Sequence, residues 1–326
     1  MADTMRAWRI TAHGEPESVM GLHEVDVPVA GPGEVLLRTR AVAVNFPDVL
    51  LARGQYQERP ELPFIPGIEL CGDVVARGEG VTGVDIGDRV VASKIGVMAE
   101  YAAVPSWSVH PAPDALDDAS AAALLIAYQT AWFGLHRRSR LQRGETLLVH
   151  AAAGGVGTAA CQLGAAAGAT VVGVVGSAAK VQVAKDAGAT EVLLRDDAWT
   201  EAVKGLGGAE VVFDPVGGKA FEGSARCVAF EGRIVVVGFA SGVVPPVRAD
   251  LALVKNYSVL GLHWALYQKR RPDLVAEAHA ELTRLAAEGA VRPVVGDVVD
   301  FTEAASAVQR LAGGDTTGRL VVKVDA

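Results

Sequence analysis

Ala151-Ala152-Ala153-Gly154-Gly155-Val156-Gly157 decides how this chain is read. In front of it stands the apolar run Thr146-Leu147-Leu148-Val149-His150, with the character of a buried parallel strand. Behind it Thr158-Ala159-Ala160-Cys161-Gln162-Leu163 begins a helix of small residues. A strand, a tight glycine turn and a helix let backbone N–H groups approach a pyrophosphate, and the helix N-terminus contributes roughly half a positive charge. The full dinucleotide fingerprint has three glycines; here Ala152 stands at the first position while Gly154 and Gly157 keep the other two. An ordinary glycine turn between core elements fits these seven residues too, so the surrounding chain has to decide.

Downstream, strands and helices alternate with short turns. Strands are predicted over 146–152, 170–176, 191–195, 210–214, 233–237 and 258–262, and helices over 156–167, 178–187 and 220–229. Apolar strands separated by helices mean a doubly wound parallel sheet with its ligand at the carboxyl ends of the strands. Upstream, the first hundred residues read as short strands joined by turns such as Gly31-Pro32-Gly33-Glu34 and Gly87-Asp88-Arg89, which predicts a small barrel-like domain. Acidic residues at 114–118 then precede a helix predicted over 119–135. Beyond the last sheet strand, helices over 272–288 and 303–312 and a closing strand over 319–324 are expected to return to the first domain.

Composition narrows the class. The chain has 326 residues, half of them hydrophobic, which suits two domains of ordinary size. No run of about 18 apolar residues and no apolar leader is present, so the expected location is the cytoplasm, with no membrane partner. A net charge of −8 supplies no footprint for nucleic acid. The short basic runs His136-Arg137-Arg138 and Lys269-Arg270-Arg271 read as solvated faces. Cys71, Cys161 and Cys227 are too widely spaced for a disulfide framework or a thiolate zinc site and read as small core residues.

The end of the second sheet strand bears on the cofactor. A site for NAD places Asp or Glu about 20 residues past the glycine turn, to accept from the ribose hydroxyls. Here the strand ends in Gly176-Ser177, with Lys180 one turn on and the next acid at Asp186. A carboxylate would repel a 2′-phosphate, whereas Ser177 and Lys180 suit one, so NADPH is the expected cofactor. A solvated helix lysine is the plain alternative for Lys180.

Several further stretches carry a family likeness: Val44-Asn45-Phe46-Pro47-Asp48, Pro63-Phe64-Ile65-Pro66-Gly67-Ile68-Glu69, Gly87-Asp88-Arg89-Val90, His150 to Gly157, Phe213-Asp214-Pro215-Val216-Gly217-Gly218 and Gly261-Leu262-His263-Trp264. With them the whole chain resembles the zinc-independent medium-chain dehydrogenase/reductases, in particular NADPH:quinone oxidoreductases of the zeta-crystallin type. The resemblance implies a GroES-like catalytic domain over 1–120 and 265–326 around a Rossmann domain over 121–264. Matched residue by residue, the three positions that hold catalytic zinc in the alcohol dehydrogenase relatives are Asn45, Ile68 and Ile126, and no Cys lies between Cys71 and Cys161 for a structural zinc lobe. Soft thiolate and imidazole donors are what zinc needs, so no metal is expected.

The resemblance also places Thr130, Gly155, Val156, Gly238 and Phe239 along the cofactor, beside Gly154, Gly157 and Gly176. It puts Asn45 at the nicotinamide and Tyr56 at the substrate, where a phenol can donate to developing oxyanion charge. A rim aromatic that only shapes the pocket is the other reading of Tyr56, and His150 and His263 read as structural. Without a Lewis acid the expected reaction is hydride transfer from NADPH to quinones or α,β-unsaturated carbonyl compounds. An enoyl-thioester reductase and a non-catalytic, NADPH- or RNA-binding crystallin-like protein stay open as alternatives. The resemblance further implies a homodimer, formed through the sheet edge at 258–262.

Overall fold

The computed structural model describes residues 3–196, 198–314 and 316–325, and the chain divides into two units. One takes Met1–Ile126 with Arg292–Ala326, the other Ala127–Val291.

In the first unit β1 (Thr4–Ile10) and β2 (Met20–Asp26) form a separate antiparallel hairpin. Its sheet is built on β3 (Glu34–Val44), whose Val35, Leu37, Val42 and Val44 all reach the core. One edge of β3 carries β4 (Glu69–Arg77), followed by β5 (Arg89–Ser93). The first half of its other edge takes β6 (Tyr101–Pro105), and β7 (Val109–Pro111) lies beyond β5. The helix Phe46–Ala52 starts where β3 ends. Pro47 sits in its first turn, where a missing N–H is tolerated, and the Asp48 carboxylate accepts the Asn45 N–H at 2.8 Å.

The second unit holds β8 (Thr146–His150), β9 (Thr170–Val175), β10 (Glu191–Leu194), β11 (Ala209–Asp214), β12 (Val228–Val236) and β13 (Ser258–Gly261). Every pairing is parallel and the order is β10-β9-β8-β11-β12-β13. That is the doubly wound order, with its reversal between β8 and β11, the point at which such sheets open a crevice at the carboxyl ends of the strands. The chain then re-enters the first unit as β14 (Val295–Asp300) and β15 (Arg319–Lys323), and β15 pairs with the second half of β3. The expected two-domain α/β architecture is present.

Two boundaries differ from the sequence expectation. The helix expected over 119–135 is divided into Asp118–Ala122, capped by Asp117, and Leu125–Trp132, which runs on into a π-helical turn at Phe133–Arg138. Asp118 accepts from Arg40 and Arg89, which ties the first piece to the first unit and moves the division to Ile126. At the other end residues 265–291 stay with the second unit. Trp264 Nε1 donates to Gln129 Oε1 at 3.0 Å, the Gln129 amide donates to the carbonyl of Val275, and the rings of Phe133 and Tyr267 stack at 4.2 Å. The helices Trp264–Arg270 and Pro272–Ala287 thus cover the helix Leu125–Trp132, which no hydrophobic period in the sequence reveals.

Candidate active site

Four turns follow the carboxyl ends of β8, β9, β11 and β12. The first is the glycine turn. Ala151 takes the left-handed conformation at φ +50°, so Ala152 needs no positive φ, and its methyl lies against Gly173 of β9, where an added Cβ would be 2.8 Å away. This is why Ala replaces the first glycine of the fingerprint without loss of the turn. Gly157 cannot be replaced in the same way, since a Cβ there would stand 2.1 Å from the carbonyl oxygen of Ala151. The helix Gly155–Ala166 leaves Gly154 as its N-cap with no capping side chain, so the first-turn amides of Gly155, Val156 and Gly157 have no intrahelical acceptor. Amides in that position fit an anionic group such as a pyrophosphate.

The second turn, Gly176-Ser177, is exposed, and the Ser177 hydroxyl caps nothing. Lys180 lies three residues on and is partly buried. The third turn is held by Asp214, wholly buried, whose Oδ1 accepts the N–H groups of Val216 at 2.8 Å and Gly217 at 2.9 Å. The fourth is Gly238-Phe239, and the Phe239 ring covers Gly217, where a Cβ would be 2.9 Å from it. Thr130 is buried on the helix Leu125–Trp132 of the same unit. All the expected cofactor residues from Thr130 to Phe239 therefore belong to the second unit.

His150, at the end of β8, is structural. Its Nε2 lies 2.8 Å from Ser224 Oγ, and that hydroxyl already donates to the carbonyl of Ala220, so the imidazole donates and the serine accepts. Burial lowers its pKa, and Trp199 meets the ring edge to face. A buried serine whose proton is committed to a carbonyl is no nucleophile.

Asn45 and Tyr56 belong to the first unit. Asn45 is 3% exposed and its amide is fully engaged: Nδ2 donates to the carbonyl of Ala43 at 3.0 Å and to Glu69 Oε1 at 2.8 Å, while Oδ1 accepts from Arg319 at 2.8 Å. Both amide protons are committed, so Asn45 has no donor left for an acceptor oxygen. Glu69 is held further by the Ile126 N–H at 2.8 Å and by an ion pair with Arg319. Burial pushes the Glu69 carboxyl up against the opposing pull of Arg319. Ile68 is buried next to it. At the three positions matched to zinc ligands there stand a locked amide and two aliphatic side chains, a donor set that does not fit the metal. Among the described residues no cluster of His, Cys, Asp or Glu could hold one.

Asp48 is buried beside this group and accepts from the backbone of Asn45 and, at 3.1 Å, of Gly67; burial raises its carboxyl to about 7. Tyr56 is half-buried in the segment after Gly54, which turns at φ +67°. Burial, with the charges of Glu58 and Asp48, raises the phenol and keeps its proton on.

Glu69, Arg319 and Arg195 are not singled out by sequence reasoning. Glu69 ends one of the family stretches, but nothing in its spacing announces a partner some 250 residues away. Arg195 does carry a signal in the sequence: it directly follows the strand next to the one that ends at Gly176.

The sequence and fold match known proteins at this point. Residues 31–114 match the family model described as "Alcohol dehydrogenase GroES-like domain", and residues 155–280 the one described as "Zinc-binding dehydrogenase". Quinone oxidoreductase-like protein 2 of Bos taurus is 35% identical over 98% of this chain and 93% of its own length. Quinone oxidoreductase of Rattus norvegicus is 31% identical over 93% and 92%. The chain belongs to the zinc-independent medium-chain dehydrogenase/reductases of the quinone oxidoreductase type. Among solved structures, a mycobacterial protein complexed with NADPH superposes with a TM-score of 0.92 at 34% identity, over 98% of this chain and 99% of that one. As a member of this family the chain is an oxidoreductase, with a GroES-like and a Rossmann domain. Asn45, Ile68 and Ile126, the positions matched to zinc ligands, all lie outside the residues that the second model matches, so that match says nothing about a metal in this chain.

Proposed function

We propose that this oxidoreductase reduces quinones or α,β-unsaturated carbonyl compounds, with NADPH as the donor and without a metal. The observation that carries the proposal is the state of the three positions matched to zinc ligands. With an engaged amide at Asn45 and aliphatic side chains at Ile68 and Ile126, nothing there polarises an isolated carbonyl. An acceptor that spreads the incoming charge over its own π-system needs no such help. Bound NADPH would supply the hydride, the two-electron equivalent that the chain itself lacks.

The protein's residues then bind and orient. Gly155, Val156 and Gly157 offer unpaired backbone amides to the pyrophosphate beside Gly154, whose own N–H donates to the carbonyl of Ala151; Gly176, Ser177 and Lys180 border the ribose phosphate, and Thr130, Gly238 and Phe239 flank the nicotinamide half. Asn45, placed at the nicotinamide by the family resemblance, has both amide protons committed and would act there by shaping the site rather than by donating to a substrate oxygen. Tyr56 keeps its proton and donates to the reduced acceptor's oxygen, whose final proton comes from solvent. Burial pushes the thiols up, to about 12 for Cys71 and Cys161 and about 11 for Cys227, which keeps all three protonated and unreactive; the cytoplasm is the location proposed with this activity. Among the described residues no helix is long and apolar enough to cross a membrane. A homodimer through β13 belongs to the same reading, supported by the position of that strand at the sheet edge.

NADPH oxidation followed over a panel of quinones, enals, enoyl-thioesters and simple ketones tests the proposal. Turnover confined to conjugated acceptors, and unchanged by a chelator, is expected. Reduction of simple ketones at a comparable kcat/KM, or loss of activity on chelation, would overturn it.

A further inference from the structure

We propose that the acceptor is an uncharged molecule and that Glu58 turns anionic ones away, coenzyme A thioesters included; this rests on the reading that Tyr56 meets the acceptor.

Residues 54–63 form a loop with both ends pinned. At its start the N–H of Gly54 donates to the carbonyl of Leu51 at 3.1 Å and that of Gln55 to the carbonyl of Leu50 at 2.8 Å, so the chain folds back on the last turn of the helix Phe46–Ala52. Just past its end, Ile10 donates to the carbonyl of Phe64 at 2.8 Å and Phe64 to that of Ile10 at 3.2 Å. Between the two ends burial alternates. Tyr56, Glu58 and Pro60 are half-buried, while Gln55, Gln57, Arg59 and Glu61 are exposed. Glu58 therefore shares the inner side of the loop with the phenol, and Arg59 falls on the outer side.

The charges that act on the phenol are of one sign. Glu58 and Asp48 both raise it, and among the described residues no cation opposes them there. Arg53, the basic residue just before the loop, is bound to Glu15 at 2.8 Å. The bias extends to the whole of the first unit, where 13 Lys and Arg stand against 23 Asp and Glu, a balance of −10; the second unit has 17 against 15, a balance of +2.

An acceptor that takes a hydrogen bond from Tyr56 lies in this field. A full negative charge on it meets a like charge, which costs about tenfold in rate at the effective dielectric of a protein surface. A coenzyme A thioester carries several such charges on its phosphates, and a carboxylate or sulfonate carries one. The oxyanion formed on reduction meets the same field, so an acceptor that spreads this charge over a ring and a second oxygen suffers least. An uncharged quinone has both properties.

Matched naphthoquinones whose short side chain ends in a methyl, a sulfonate or a trimethylammonium group test the inference, because a ratio of two kcat/KM values on one enzyme cancels whatever is common to both. At low salt the neutral quinone should exceed the sulfonate by about tenfold, and the trimethylammonium compound should at least equal the neutral one. Raising the salt from about 20 to about 300 mM should narrow the first ratio, as screening requires. Glu58→Gln should narrow it by at least about threefold at low salt, Glu58→Asp should keep it, and Arg59→Gln should not lower it. In the same way, the but-2-enoyl thioester of N-acetylcysteamine, which is uncharged, should be reduced faster than but-2-enoyl coenzyme A. A wild-type protein that takes the sulfonate as well as the neutral quinone, a ratio that Glu58→Gln leaves unchanged, or a preference for the coenzyme A thioester would overturn the inference alone. No turnover of any of these acceptors would overturn it together with the reading of the site on which it rests.

Discussion

Glu69 and Arg319 form an ion pair from which water is excluded, their side chains being 0% and 6% exposed. The Asn45 amide lies between them, accepting from the arginine and donating to the carboxylate. Taking two charges out of water is costly, and only dense hydrogen bonding recovers it. Removing one partner leaves the other charge buried with nothing opposite it. Glu69→Gln is therefore expected to lower unfolding free energy by about 3–5 kcal/mol in urea titrations. A loss under about 1 kcal/mol would show that the network is not the element that holds the end of β3 to β15.

The same network predicts the metal content. Elemental analysis of the purified protein should find far less than one zinc per chain, and added zinc should leave the melting temperature where it was. A single Asn45→Cys change should bring no zinc in either, because Ile68 and Ile126 offer no second donor. One tightly held zinc in the wild type would contradict this donor set.

The order of elements was legible because the second unit's strands are near-continuous apolar runs separated by glycine turns, and such runs suit only a sheet covered on both faces. Gly157 is a backbone requirement within such a turn, since a Cβ there would stand 2.1 Å from the carbonyl oxygen of Ala151. The break between Ala122 and Leu125 was not legible, since Ala121-Ala122-Ala123-Leu124-Leu125 runs across the junction with no Gly, Pro or capping residue to mark it. Nor was the place of the helix Pro272–Ala287. Its amphipathic face says that it covers something, but only the Gln129 amide, which donates to Val275, says what. The roles of Asn45 and Arg195 depend on partners brought from distant or neighbouring strands, and a spacing rule has no access to these.

Asp48 makes stability depend on pH in an unusual direction. Its carboxyl is raised from an ordinary value near 4 to about 7, because burial outweighs the two backbone donors. Between those values the folded protein binds the proton and the unfolded chain does not, so this group's contribution is complete below about pH 4 and is lost as pH rises through about 7. Asp48→Asn removes the titration and keeps one acceptor. Relative to wild type the variant should gain about 2 kcal/mol between pH 5 and pH 7, at roughly 1.4 kcal/mol for each unit. Parallel stability curves for the two proteins over that range would show that Asp48 is ionised throughout.

Gly176→Asp is the obvious change for turning the cofactor site toward NADH, and the structure predicts that it fails. The new carboxylate would leave the backbone into the space above Gly176 where Nη2 of Arg195 lies, and the two would pair. NADPH should then lose at least about tenfold in affinity, equal to about 1.4 kcal/mol. NADH should stay within about twofold, since the acceptor made for its ribose is already engaged. Fluorescence titrations with both cofactors decide this, and a tenfold tightening of NADH would mean that the arginine moves aside.

The free edge of the parallel sheet makes the last prediction. Among the described residues β13 pairs only with β12, so a row of its N–H and C=O groups faces outward, and natural proteins seldom leave such an edge bare. The helix Ala249–Lys255 that leads into it buries none of its residues fully and exposes Leu253 at 77% and Val254 at 72%. Two copies joined across a two-fold axis, β13 against β13, would pair the edge and cover these side chains with the same patch of the partner. Sedimentation should then give a dimer at micromolar concentration, and the double variant Leu253→Lys, Val254→Lys should shift it to monomer, since four added charges would meet across the axis. Cofactor binding to the monomeric variant should persist, because every candidate cofactor residue lies in one chain. A wild-type protein that stays monomeric over a hundredfold range of concentration would rule this assembly out and leave the exposed leucine and valine without a partner of this kind.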